Sequence, residues 1–397
     1  MRHILIAGAG IAGLACAILL TRQGQRVSVF EQVADPTPVG AGLLLQPSGQ
    51  AMLQNLGLLD AVRAQAAIVH SLEGYSGSWK TLDLHYQHVH EDSHGLGIHR
   101  ANLHQILWQC ARDLGVAIHL GNGIADFQQN TDQVVVQLQE GELQADALII
   151  ANGTRSHLRD RLSIEQTCQA YPWGAYWAVL DKDDWPFPHI LMQHYRGAQV
   201  MLGILPTGIN PITKKKCYSL FWSLPKFAFA EYQNAGIQGL IECIRFVWPE
   251  VASWLATAPE TEIAIAEYAD VRLARYHEKN VVVLGDAAHA MSPQLGQGAN
   301  MALIDATILA ACLSESKFDM STGFAEFSRR RHKHIAYYQM ASRFMTPLYQ
   351  SNYPLGFLRD LGTVIGRHLP FVYRQYMLTL CGAKQGIFDF RASISNL

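Results

Sequence analysis

The sequence predicts an α/β protein: a parallel sheet with helices on both faces, interrupted by a mainly β insertion and followed by a helical C-terminal region. Three observations predict it. HILIA at 3–7 breaks into Gly8-Ala9-Gly10-Ile11-Ala12-Gly13 and a helical stretch. VVVL at 281–284 breaks into Gly285-Asp286 and, past Pro293, into Gly296-Gln297-Gly298. Between them, from about 165 to 271, aromatic residues become dense and alternating segments such as 199–205 and 218–224 appear. Two strand–glycine–helix units separated by a stretch of different texture mean one discontinuous domain. The expected division is 1–164 with 275–330, an inserted mixed-sheet domain at 165–274, and a helical region at 331–397.

Composition allows this. The 397 residues are 49 % hydrophobic, enough for a large core and roughly two domains. A formal charge of −2 gives no reason to expect nucleic acid. Seven scattered cysteines, an odd number with no CxxC pair, fit reduced thiols in a cytoplasm. The start, MRHILIAGAGIAGLACAILL, has the outline of a signal peptide, but its glycines sit where a strand must turn into a helix. No stretch is long and apolar enough to span a bilayer.

In order, 3–7 reads as a buried strand, 11–23 as a helix and 26–30 as a β-branched strand. This βαβ unit should have a right-handed crossover. Residues 36–47 read as a Gly/Pro-rich loop, and Ser48 as the cap of a helix to 56. Hairpins are expected over 70–94, a helix over 102–114, and strands near 116–120, 134–138 and 147–150.

In the first glycine loop, Gly8 allows the tight turn, Gly10 lets the backbone approach a pyrophosphate, and Gly13 lets helix and strand pack closely. The first helical residues, Ile11 and Ala12, offer unpaired N–H groups and positive potential to phosphates. Glu31 ends the second strand, where a carboxylate can accept both hydroxyls of an adenosine ribose. That disfavours a 2′-phosphate at this site. A turn used only for packing is the alternative, and four elements in register weigh against it.

A dinucleotide has a second half. Gly285 lets the backbone come close, and Asp286 can accept from ribityl hydroxyls. The loop from Pro293 to Asn300 feeds a helix whose start aims N–H groups at the same place. Such a terminus would stabilise the negative charge that an isoalloxazine gains on reduction.

On these residues the sequence resembles the FAD-dependent aromatic hydroxylases, the class A flavoprotein monooxygenases of the p-hydroxybenzoate hydroxylase type. The resemblance rests on GAGIAG at 8–13 with Glu31, on GDAAHAMSPQLGQGAN at 285–300, and on a middle motif, spanning residue 1 to about 340. It implies FAD, with NADH or NADPH as transient co-substrate. It implies that Asp286 binds the ribityl chain, and that Pro293, Gly296 and Gln297 lie at the flavin ring through their backbone. Gly298, Ala299 and Asn300 follow as cofactor contacts. Arg100 matches an arginine near the pyrophosphate, Ile124 falls where backbone meets adenine, and Gly42 is counted with the cofactor contacts. The middle motif departs from the family's pattern. Asn152 stands where an acid is usual, while Gly153, Ser156 and Arg159 keep their places. An amide keeps an acceptor but loses the charge, which bears on the nicotinamide more than on FAD. A simple turn-holding role is the alternative.

The resemblance implies a monooxygenase. The reduced flavin takes up dioxygen at C4a, and the distal oxygen of the hydroperoxide passes to a small aromatic or enol-like substrate. Alternatives are a flavin-dependent halogenase, a quinone-precursor hydroxylase and a non-catalytic FAD-binding protein. The halogenase expectation of WxWxIP is not met by FWSLP at 221–225. Candidate pocket rings are Tyr171, Trp173, Tyr176, Trp177, Tyr195, Phe221 and Trp222. The histidines at 85, 88, 90, 94 and 99 suit a polar hairpin, with His88 and His90 on one strand face, and no metal is assigned. The basic run at 329–334 reads as a solvated face. The segment 344–378 reads as helical packing or a dimer contact, ahead of a membrane-surface helix. A monomer or homodimer is expected.

Overall fold

Four apolar runs build the centre of the nucleotide-binding layer. In this computed structural model, which describes residues 1–36, 41–130, 132–257 and 263–389, they form a six-stranded sheet. Its order is 277–278, 281–283, 147–150, 3–7, 26–30, 117–119. Residues 3–7 pair in parallel with both neighbours, Ile6 lying beside Val29 and Ile149. Ile4, Leu5, Ile6, Val29 and Val281 to Val283 are all fully buried or nearly so, because the sheet is covered by helices and shares its core with Phe127, Val134 and Val136 of a small antiparallel sheet, 126–129, 134–138 and 141–145. The helices Ile11–Arg22 and Gly298–Glu315 pack against each other over this sheet.

The aromatic insertion forms a second, seven-stranded sheet. Its order is 263–273, 166–180, 216–225, 200–209, 190–196, 71–76, 79–85. Its last two strands come from the N-terminal third: 71–76 joins in parallel beside 190–196. The first 164 residues therefore do not all lie in the nucleotide-binding layer. Strand periodicity sorts the rings of this sheet. Tyr176 pairs with Trp222, and both pack with Leu240 and Val251 beneath the helices Phe229–Arg245 and Pro249–Leu255. One residue along, Trp177 pairs with Phe221 on the opposite face, with ring centroids 5.3 Å apart.

Three helices close that inner face: Met320–Tyr349, Gly356–Arg367 and Pro370–Leu380. Tyr349, Met377 and Leu380 pack there with Leu82 and Phe221.

Several local expectations are corrected. Ser48 does not cap its helix, which starts at Pro47 with Gln46 as the cap residue. Residues 42–45 form a strand paired with 95–99, while 37–40 of the expected loop lie outside the described residues. His88 belongs to a 3₁₀ turn and hydrogen-bonds the Tyr373 hydroxyl through Nδ1 at 2.9 Å, so it shares no strand face with His90. The basic run is not one solvated face. Arg329 and Arg330 pair with Glu326 outside, whereas Arg331 is fully buried. No helix among the described residues is long and apolar enough to cross a membrane.

Candidate active site

The first glycine loop is set by close approach. Gly8 has φ +103°, and a Cβ there would lie 2.6 Å from the Ala151 carbonyl. A Cβ on Gly13 would fall 2.0 Å from the Gly8 carbonyl, so helix and turn meet only if both lack side chains. Gly10 differs: a Cβ there meets nothing within 4 Å. Its glycine leaves open space in front of the helix start. Glu31 is tied to this loop. It accepts from the Ala9 amide at 2.9 Å and from Val33 N at 3.0 Å. Each carboxylate oxygen keeps a further lone pair for a hydroxyl donor.

The second loop is held from below by buried charge. Gly285 turns at φ +61° and donates its N–H to Asp305 Oδ2 at 2.8 Å. His289 Nε2 meets the same oxygen at 2.6 Å, and Arg331 Nε donates to Oδ1 at 2.6 Å. Three elements thus converge on one carboxylate. Burial pushes the Asp305 carboxyl up, but His289, Arg331 and the Gly285 N–H outweigh it and hold it well below the usual range. Asp286, the next residue, is exposed and faces the start of the Gly298–Glu315 helix.

A cavity of about 1390 Å³ joins these parts. Gly10, Ile11, Ala12, Gly42, Arg100 and Asp286 line one end, followed by Pro293 to Ala299. Trp177, Phe221 and Tyr268 line the wall opposite. Trp177 Nε1 donates to the Tyr268 hydroxyl at 3.2 Å, and burial pushes the Tyr268 pKa up, so its O–H stays protonated.

A model of the FAD binding domain family matches residues 1–334. The chain belongs to that family. This FAD-binding family member is 26 % identical over 336 residues to 6-hydroxynicotinate 3-monooxygenase of Pseudomonas fluorescens, covering 79 % of this chain and 83 % of that one. It is 26 % identical over 322 residues to aurachin C monooxygenase/isomerase of Stigmatella aurantiaca, covering 78 % and 80 %. Among solved structures, Klebsiella pneumoniae HpxO, complexed with FAD and uric acid, superposes with TM-score 0.79 at 18 % identity, over 95 % of this chain and 97 % of that one. That likeness is one of fold.

The residues of this FAD-binding family member fit the cofactor. Open space lies before Gly10, and a Cβ on Gly298 would come to 3.8 Å from Asp286 Oδ1. Gln294, which lines the cavity, has both side-chain amide atoms buried without a protein partner. Such atoms are costly unless a ligand or water meets them.

Some sequence expectations change. Asn300 is not at the cavity wall. Its Oδ1 accepts from Gln46 N at 2.9 Å and its Nδ2 donates to the carbonyls of Gly296 and Leu44, so its amide fastens the loop to the 42–45 strand. Ile124 is buried away from the cavity, its carbonyl accepting from His157 Nε2 at 3.2 Å. Gly42 lines the cavity but donates its N–H to Ser219 Oγ at 2.8 Å, and a Cβ there would strike Thr207. The Gln297 side chain points away, with Nε2 donating to the Leu380 carbonyl at 2.7 Å. Of the candidate rings, Trp177 and Phe221 line the cavity, while Tyr176 and Trp222 are core. Gln294, Tyr268 and Arg343 were missed. For Arg343 the signal was readable: Tyr337, Ala341, Phe344 and Leu348 recur at helical spacing along the cavity.

Proposed function

We propose that this chain is a single-component FAD-dependent monooxygenase that takes electrons from NADH or NADPH and inserts one oxygen atom of dioxygen into a small aromatic or enol-like substrate. The observation that carries it is the continuous cavity in which the Pro293–Ala299 loop faces the aromatic wall of Trp177, Phe221 and Tyr268. Relatives named as aromatic-ring monooxygenases support the same reading. FAD, when bound, supplies the redox chemistry and the activation of dioxygen.

The protein's part is to bind, orient and exclude water. The 8–13 loop and Glu31 hold the adenosine end, with Arg100 at the phosphates. Asp286 accepts from the ribityl hydroxyls. The Pro293–Leu295 turn and the left-handed Gly296 present backbone to the ring, and the N-terminus of the 298–315 helix adds positive potential where reduction places negative charge. Trp177 and Phe221 keep bulk water off the reacting face. Tyr268 holds its proton at the hydroxyl and can donate to a substrate oxygen. The buried Asp305 carboxylate keeps the Gly285 turn fixed beneath the site. With all seven cysteines free, a reducing cytoplasm is the setting we assign.

The test is direct. Purified protein should carry flavin absorbance, and aromatic substrates should stimulate aerobic NADH or NADPH oxidation with incorporation of labelled dioxygen. Protein that binds no FAD ends this reading. Bound FAD with halide-dependent product, or with no turnover on any donor, replaces it with the halogenase or the non-catalytic alternative.

A further inference from the structure

We propose that the substrate is a neutral aromatic ring carrying an extended apolar tail, and that the tail lies beneath the Gly356–Arg367 helix. The proposal rests on the monooxygenase reading for what happens at the ring, but its own content is the shape and charge of what binds.

Size is the first observation. The cavity of about 1390 Å³ holds more than the end lined by Gly10, Arg100 and Asp286, where FAD would lie. It does not stop at the ring wall. It continues past Trp177 and Phe221 to Leu348, Leu358, Gly362 and Val372 in the C-terminal helices.

The second observation is the chemistry of that extension. Leu82, Leu84 and Leu191 line it from the sheet, and Leu348, Leu358 and Val372 from the helices. Its neutral polar groups are partly used already: Gln350 Nε2 donates to Ser223 Oγ at 2.7 Å.

Charge is the third. Among the described residues lining this part, each charged side chain is tied to a protein partner. Arg343 Nε donates to Asp270 Oδ2 at 2.7 Å. Arg359 Nε donates to Asp360 Oδ1 at 2.8 Å, and its guanidinium lies 4.2 Å from the Tyr195 ring centre. Asp83 meets Lys80 at 2.8 Å and His85 at 2.9 Å. Arg367, at the helix C-terminus, donates to the Lys80 carbonyl at 3.3 Å. A carboxylate on the substrate would have to leave water for a wall whose inner cations are already matched, which is costly. A neutral ring meets no such barrier.

The fourth observation is the helix itself. Gly362 lines the cavity, and a Cβ there meets nothing within 4 Å. The missing side chain leaves helix backbone as the wall and makes room. Leu358 and Val372, which line this part, are themselves 56 % and 44 % exposed, so the passage opens through an apolar rim. An apolar tail can cross such a rim without losing its favourable environment.

The experiment is a calorimetric titration of the FAD-loaded protein, without reductant, with 4-alkylphenols from methyl to hexyl and with 4-hydroxybenzoate. The expected result is a Kd that falls about fourfold per added methylene, the fold-change matching about 0.8 kcal/mol per buried CH₂. 4-Hydroxybenzoate should bind at least about tenfold more weakly than 4-hexylphenol. Gly362→Phe should abolish the gain for the longer chains. A Kd that does not change with chain length, or tighter binding of 4-hydroxybenzoate than of 4-hexylphenol, overturns the proposal. Binding is read without turnover, so the two readings separate. A chain-length series in a protein that never oxidises a nicotinamide upholds this proposal and removes the monooxygenase.

Discussion

Arg331 donates from Nε to Asp305 Oδ1 at 2.6 Å, and neither side chain has any solvent exposure. The other oxygen of Asp305 holds the Gly285 amide, so this pair fixes the turn that presents Asp286. Removing one member leaves the other charged and buried. Asp305→Ala should cost about 3–5 kcal/mol of stability, read by denaturant unfolding. An effect below about 1 kcal/mol would show that the pair does not hold the turn.

The same carboxyl has a pH signature. Its folded pKa lies well below the unfolded value of about 3.9. An acid with a depressed folded pKa stabilises the fold above the unfolded pKa and loses that contribution as pH falls toward the folded one. Asp305→Asn should therefore flatten the fall of Tm below about pH 4. An acid limb as steep as the parent's would exclude Asp305 as its source.

His194 acts at milder pH. It stacks on Trp248 with ring centroids 3.9 Å apart, and burial pushes its pKa down from 6.5 to about 4. The fold favours the neutral ring, so the unfolded chain binds the proton first. Its contribution is complete above pH 6.5 and is lost as pH falls from there to about 4. His194→Phe should remove that part of the Tm profile, measured between those limits.

Asp286 is exposed and supports little of the fold. Asp286→Ala should weaken FAD binding roughly tenfold to a hundredfold, the range for losing charge-assisted hydrogen bonds of about 1.5–3 kcal/mol. Flavin retained through gel filtration measures it. Apoprotein stability should move by no more than about 0.5 kcal/mol. Unchanged retention removes the ribityl assignment.

Gly10 separates cofactor from fold in the same way. Its φ is −74° and a Cβ meets nothing within 4 Å, so Gly10→Val strains no protein contact. It should block the approach of the pyrophosphate, reducing FAD affinity by at least about tenfold while apoprotein unfolding changes little. A large loss of apoprotein stability would instead make Gly10 a packing residue.

Both glycine loops were legible because their signals are local: a strand, a glycine with a required conformation, and a helix start, all within a few residues. Fold class followed from their separation. What was not legible depends on distant partners. The run at 329–334 gives no hint that Arg331 and His334 turn inward, because the acid that holds Arg331 lies on another helix. Asn300 sits inside the motif, yet it serves the loop by bonding Gln46 and not by touching the cavity. Trp177 and Trp222 have equal claims by composition. Only the register that pairs Trp177 with Phe221 and Tyr176 with Trp222 assigns one pair to the cavity and the other to the core. The strands at 71–85 could not be given to the second sheet, because their partner at 190–196 lies far along the chain.

Gln297, in the loop facing the ring, reaches back to the Leu380 carbonyl, and Ser48 N meets the carbonyl of Cys381 at 3.2 Å. This sets an order of events during synthesis. The nucleotide-binding sheet can assemble once residue 283 has left the ribosome, because its strands lie between 3 and 283. The loop cannot be fastened until nearly a hundred further residues have emerged. A nascent chain can therefore own a complete sheet while the 293–299 loop is still unfastened, and the Pro370–Leu380 helix is the one that fastens it.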